Sequence, residues 1–107
     1  MSPVRVDAIA SGELVAGQPI SVELEGRAVF LVRTAFGVFA IDDHCPHAQQ
    51  SLATGKVKDG RVTCRHHGVE IDLASGRVTW AMGFHGLEPV EVFTVFEQDG
   101  RVFVELP

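Results

Sequence analysis

An antiparallel all-β fold, a sandwich or small barrel, follows from three features of this sequence. Segments 20–24, 28–33, 38–41, 61–64, 77–80, 90–96 and 101–105 are short and rich in Val, Ile, Phe and Thr, the residues that suit a pleated, half-buried surface. Between them stand Glu25-Gly26, Asp59-Gly60, Ser75-Gly76 and Asp99-Gly100, where glycine supplies the positive φ of tight hairpins. No window longer than about ten residues keeps an apolar i, i+3, i+4 pattern free of Gly or Pro.

Taken in order, the first two segments flank Glu25-Gly26 as a hairpin, and the third follows through a short connection. The segment at 61–64 is expected to pair back onto the residues around Val57 across Asp59-Gly60. Segments 90–96 and 101–105 form a closing hairpin over Asp99-Gly100. One turn of helix at 8–11 is the most helix expected.

The chain has 107 residues, 46% of them hydrophobic and 21% charged, enough for one core and little more. With no repeat and no linker, 1–107 reads as one unit. The net charge of −5 and pI of about 5.4 argue against a nucleic-acid partner, whose phosphates need a basic footprint. Apolar runs such as Ala28-Val29-Phe30-Leu31-Val32 fall far short of the roughly 20 residues of a membrane span. Met1-Ser2-Pro3-Val4 opens without the charged and apolar regions of a secretory signal, so a cytosolic, membrane-free protein is expected. In that compartment two cysteines point to metal or redox chemistry before a disulfide.

Two stretches break the strand rhythm: Asp42-Asp43-His44-Cys45-Pro46-His47-Ala48 and Cys64-Arg65-His66-His67-Gly68. Together they hold both cysteines and four of the five histidines. The pattern is Cys45-x-His47, sixteen intervening residues, then Cys64-x-x-His67. Each loop offers one thiolate and one imidazole, and a hairpin at Asp59-Gly60 would bring the loops side by side. A single zinc accepts two Cys and two His, but usually with like ligands at each knuckle. The mixed loops suit a [2Fe–2S] cluster whose two irons differ, one bound by thiolates and one by imidazoles.

These residues resemble the Rieske-type [2Fe–2S] proteins. The likeness extends to Gly37-Val38-Phe39-Ala40-Ile41 before the first loop, Leu52 and Gly55 after it, Gly68, Asp72, Ser75-Gly76 and the hairpin at 89–104, and so covers roughly residues 4–105. It implies an antiparallel β-sandwich in which a small cluster-binding subdomain, with loops at about 42–52 and 64–72, caps a larger base. Carried over by motif, Cys45 and Cys64 hold the inner iron of one [2Fe–2S] cluster and His47 and His67 the outer one. Gln49 stands where many members have glycine, Arg65 where proline is frequent, and Ile71 where an aromatic is frequent. A proline-bearing covering segment is not evident in Ala81-Met82-Gly83-Phe84-His85-Gly86.

The resemblance further implies a soluble, monomeric ferredoxin rather than an enzyme. It would carry single electrons from a flavin-dependent NAD(P)H reductase to a terminal oxygenase. Cys45-Pro46-His47 with Cys64-Arg65-x-His67 is similar to ferredoxins of toluene-type diiron monooxygenases, while the length fits ferredoxins of aromatic-ring dioxygenases. Rival functions are the Rieske domain of an oxygenase, a nitrite reductase small subunit and a zinc-stabilised binding module. The oxygenase domain would need a second metal site, for which only His44, His66 and His85 remain.

Imidazoles in place of two thiolates put the potential in the span of about −150 to +300 mV. Without tyrosine, and with Gly68-Val69-Glu70 in place of a hydroxyl after His67, few hydrogen bonds to sulfur are expected, hence the low end of that span. Reduction would also raise the imidazole pKa values of His47 and His67, coupling electron and proton uptake. Spacing favours His67 over His66 as ligand. His44 and His85 read as solvent-facing or loop-packing; Trp80, Met82 and Phe84 read as core, with a partner-docking or electron-exit surface as the alternative. Lys56, Lys58, Arg61 and Arg65 crowd one stretch while Glu88, Glu91, Glu97, Asp99 and Glu105 crowd the C-terminal strands, an asymmetry that could steer docking.

Overall fold

The computed structural model of the chain describes residues 3–46, 50–65, 68–81, 83 and 86–107. Its strands are β1 (Val4–Ala10), β2 (Ile20–Leu24), β3 (Arg27–Thr34), β4 (Gly37–Asp42), β5 (Lys56–Lys58), β6 (Arg61–Thr63), β7 (Glu70–Asp72), β8 (Val78–Trp80), β9 (Val92–Gln98) and β10 (Arg101–Leu106). Six form one antiparallel sheet in the order β1-β10-β9-β4-β3-β2, and four form a second in the order β5-β6-β7-β8. Local chemistry fixes the hairpins. Glu25 and Gly26 (φ 51° and 79°), Asp59 and Gly60 (52° and 75°) and Asp99 and Gly100 (52° and 77°) all have positive φ, the backbone of a type I′ turn.

The small sheet is an insertion between neighbours of the large one. β4 pairs directly with β9 through Ala40 with Phe93 and Ile41 with Val92, yet 49 residues, 43–91, separate them in sequence. A neck closes the insertion: Asp42 N–H donates to Glu91 O at 2.9 Å and Asp43 N–H to Ala28 O at 3.0 Å. The predicted base and capping subdomain are therefore present.

β3 joins the two cores. Val29 to Val32 are fully buried, and the two-residue period of a strand divides them between opposite faces. Phe30 and Val32 pack with Val62, Val69, Ile71 and Leu73 of the insertion, whereas Val29 and Leu31 pack with Leu24, Phe93, Val102 and Val104 of the base. The apolar run noted in the sequence is thus a strand covered on both sides.

Several expectations shift. The segments at 20–24, 28–33, 38–41 and 101–105 are strands with ends moved by at most one residue. β1 was not expected; its alternation Val4, Val6, Ala8 becomes a strand by pairing with β10, from Val4 with Leu106 to Ala10 with Arg101. The helical turn expected at 8–11 lies instead at Ser11–Glu13, as a 3₁₀ turn after that strand. β9 begins at Val92, not Val90, because Val90 N–H is bound to Gly76 O at 2.9 Å. β7 occupies Glu70–Asp72, so the second loop ends at Val69 rather than at 72.

Candidate metal centre

The first loop leaves β4 and is drawn closed by one carboxylate. Asp43, 7% exposed, accepts from Ser51 Oγ at 2.7 Å, Leu52 N–H at 2.8 Å and Ala53 N–H at 3.2 Å. Ser51 also caps the 3₁₀ turn Leu52–Thr54, its hydroxyl accepting from Ala53 N–H at 3.2 Å. Inside this frame Cys45 N–H donates to Gln50 O at 2.8 Å.

The second loop leaves β6 and repeats that bond. Cys64 N–H donates to Val69 O at 2.7 Å, again five residues on, and Gly68 N–H returns to Cys64 O at 3.0 Å. Gly68 sits at φ +70°, where a β-carbon would be strained. The hairpin of β5 and β6 pairs Val57 with Val62 and Lys56 with Thr63, so the end of the first loop lies against the start of the second. Their contact is close: a β-carbon at Gly55 would stand 2.2 Å from Thr63 O.

Cys45 and Cys64 are each 1% exposed and belong to one apolar cluster with Phe30, Leu52, Val62, Val69 and Ile71. The expected hairpin across Asp59-Gly60 is present, and both cysteines share one apolar core. His47 and His67 lie outside the described residues, as do His66, His85, Met82 and Phe84. Among the described residues no group of three or more metal-ligating side chains occurs. The residues present fit an iron–sulfur cluster on two counts. Soft sulfur donors come from two loops of matching construction, and the shell behind them is apolar and closed to water.

Around Cys64 opens a cavity of about 660 Å³ lined also by Thr54, Lys56, Lys58, Thr63, Arg65 and Gly68. Trp80 is 50% exposed, so the expectation of a core tryptophan fails. It ends β8 opposite Glu70 with its indole against Gly68, where a β-carbon would lie 3.5 Å from Trp80 Cζ3. His44 is on the surface as expected, its Nδ1 2.7 Å from Asp42 Oδ2.

The family comparison decides the cofactor. The Rieske [2Fe–2S] domain family matches residues 4–103. This chain belongs to the Rieske [2Fe–2S] family. Its cofactor is accordingly one Rieske [2Fe–2S] cluster. The chain is 38% identical over 69 residues to the 4beta-methylsterol monooxygenase of Methylococcus capsulatus, covering 64% of this chain but only 18% of that protein. It is 24% identical over 106 residues to the ferredoxin component of a naphthalene 1,2-dioxygenase system of Pseudomonas aeruginosa, covering 99% of each. Among solved structures, the ferredoxin of carbazole 1,9a-dioxygenase from Nocardioides aromaticivorans superimposes with a TM-score of 0.86 at 25% identity, covering 100% of both chains.

One residue of this Rieske site escaped the sequence reading. Asp43, given no role of its own in the sequence, is the carboxylate on which the first loop closes. The available signal was Ser51 immediately before the apolar Leu52, a capping pattern with no carboxylate at the usual third position.

Proposed function

We propose that this chain is a one-electron carrier, a Rieske ferredoxin serving a multicomponent oxygenase. In this reading the whole of 1–107 is a single, monomeric, cytoplasmic Rieske domain. A flavin-dependent NAD(P)H reductase supplies its electrons and a terminal oxygenase receives them. Cys45 and Cys64 hold the inner iron, and His47 and His67 the outer one. When bound, the cluster takes up and returns one electron.

The observation that carries the proposal is the pair of matching loops, each placing a buried cysteine in the same apolar shell at the end of the insertion. Full-length coverage of two ferredoxins of dioxygenase systems supports the carrier role, and it favours a dioxygenase over a diiron monooxygenase as the receiving system. The residues serve transfer by holding still. Asp43 fixes the first loop, Gly68 lets the second turn sharply, and the shared core keeps water from the sulfurs, so little reorganisation accompanies a change of charge.

Iron, acid-labile sulfide and zinc content of the purified chain, followed by an anaerobic dithionite titration, test this reading. It expects two irons, two sulfides and one electron per chain, with no turnover of oxygen. A protein holding zinc and no sulfide would overturn it.

A further inference from the structure

The base and the insertion treat their cations differently. In the base, Arg27 pairs with Glu91 at 2.8 Å, Arg33 with Glu97 at 2.8 Å and Arg101 with Asp7 at 2.9 Å, and Arg5 lies over the Phe96 ring at 4.6 Å. In the insertion, Arg61 pairs with Glu70 at 3.5 Å. Lys56, Lys58 and Arg65 are exposed and have no ion pair among the described residues. All three line the cavity beside Cys64.

Strand register gathers this charge. Lys56 and Lys58 are two residues apart on β5, paired with Thr63 and Arg61, so their side chains share one face of the small sheet. Arg65 follows Cys64 directly. At the opposite edge of the small sheet from β5, β8 ends on the half-exposed Trp80, packed on Gly68, which also lines the cavity. An unpaired positive rim beside an exposed indole, in a chain of net charge −5, is a local inversion of the protein's own field. Trp and Arg are also the residues that most often anchor protein interfaces.

We propose that Lys56, Lys58, Arg65 and Trp80 form the docking face for an electron-transfer partner whose contact surface is acidic around an apolar patch. The proposal rests on the carrier reading above and adds the chemistry of the partner surface. The cations steer the encounter and set orientation, the indole contributes apolar contact, and the second cysteine loop lies between them. Acidic strands of the base would repel the same partner and confine it to this end.

Gold electrodes coated with carboxylate-terminated or ammonium-terminated monolayers, or with a mixed carboxylate and methyl layer, serve as the probe. The purified holoprotein is applied at low salt and its reversible electron exchange measured. The expected result is exchange on the carboxylate film, lost as salt shortens the screening length to a few ångströms, and little on the ammonium film. Lys56→Glu with Lys58→Glu should cut the carboxylate signal at least tenfold while leaving the visible spectrum intact. Trp80→Ala should remove any gain that added methyl groups give. Exchange on the ammonium film, as the net charge alone dictates, or on neither film, would overturn the docking face. Failure of the carrier reading is separate, because a protein without a cluster shows no visible charge-transfer bands before it meets an electrode.

Discussion

Asp43 accepts a hydrogen bond from Ser51 Oγ at 2.7 Å, joining the two ends of the loop that carries Cys45. The same carboxylate takes the N–H groups of Leu52 and Ala53; its removal strands the buried Leu52 donor, while Ala53 N–H keeps its bond to Ser51 Oγ. Asp43→Ala should cost about 3 kcal/mol and lower the iron bound per chain, whereas Ser51→Ala should cost about 1 kcal/mol and keep the iron. Chemical denaturation and iron analysis of the two variants check this. Equal effects would show that the carboxylate is not the centre of the loop.

Gly55 is where the two loops touch. A β-carbon there would collide with the backbone oxygen of Thr63 at 2.2 Å, while one at Gly12 would meet nothing within 4 Å. Gly55→Ala should therefore destabilise the protein by about 1–3 kcal/mol or more, and Gly12→Ala by much less. Thermal unfolding of both variants distinguishes them.

The base carries an acid-sensitive ion pair. Glu97 receives two hydrogen bonds from the Arg33 guanidinium at 2.8 and 2.9 Å, which lowers its pKa from 4.5 to about 2. A carboxylate depressed by folding gives its stabilisation in full above the unfolded value and loses it as pH falls through the folded one. The stability difference between wild type and Glu97→Gln should thus be constant above about pH 5 and shrink between 4.5 and 2. Because both side chains are about one-third exposed, solvent screening keeps the contribution to about 1 kcal/mol or less. Denaturation across that pH range measures it, and a difference that grows toward acid would contradict the pairing.

The reduction potential should fall in the lower half of the span from about −150 to +300 mV. Ser51 lies close to the first loop in sequence, but its hydroxyl is committed to Asp43 and Ala53. Val69 and Glu70 follow Gly68 where a hydroxyl could have served the second loop. Fewer donors to sulfur stabilise the reduced cluster less. A redox titration checks the value, and one near the upper end would mean donors come from elsewhere.

What was legible in the sequence was what neighbours decide. Glu25-Gly26, Asp59-Gly60 and Asp99-Gly100 carry their turn chemistry in two residues, and the run around Phe30 marks a strand by composition alone. The hairpin that carries the second cysteine loop back toward the first was one of these. Other features depend on distant partners. β1 needs β10, nearly a hundred residues away, to become a strand. Glu70-Ile71-Asp72 is too short to show a period and is a strand only between β6 and β8. Trp80 has the composition of a core residue, but it ends a three-residue edge strand and is half exposed. Asp43 gains its role from Ser51, Leu52 and Ala53, which come within reach only when the loop closes.

The central claim is that two sulfurs and two imidazoles from these loops hold one [2Fe–2S] cluster. Pulsed EPR of the dithionite-reduced protein, on wild type and on His47→Cys and His67→Cys variants, tests it most directly. The account predicts hyperfine couplings from two nitrogen ligands in the wild type and the loss of one of them in each variant. A cluster signal without strong nitrogen coupling, or couplings unchanged in either variant, would contradict it.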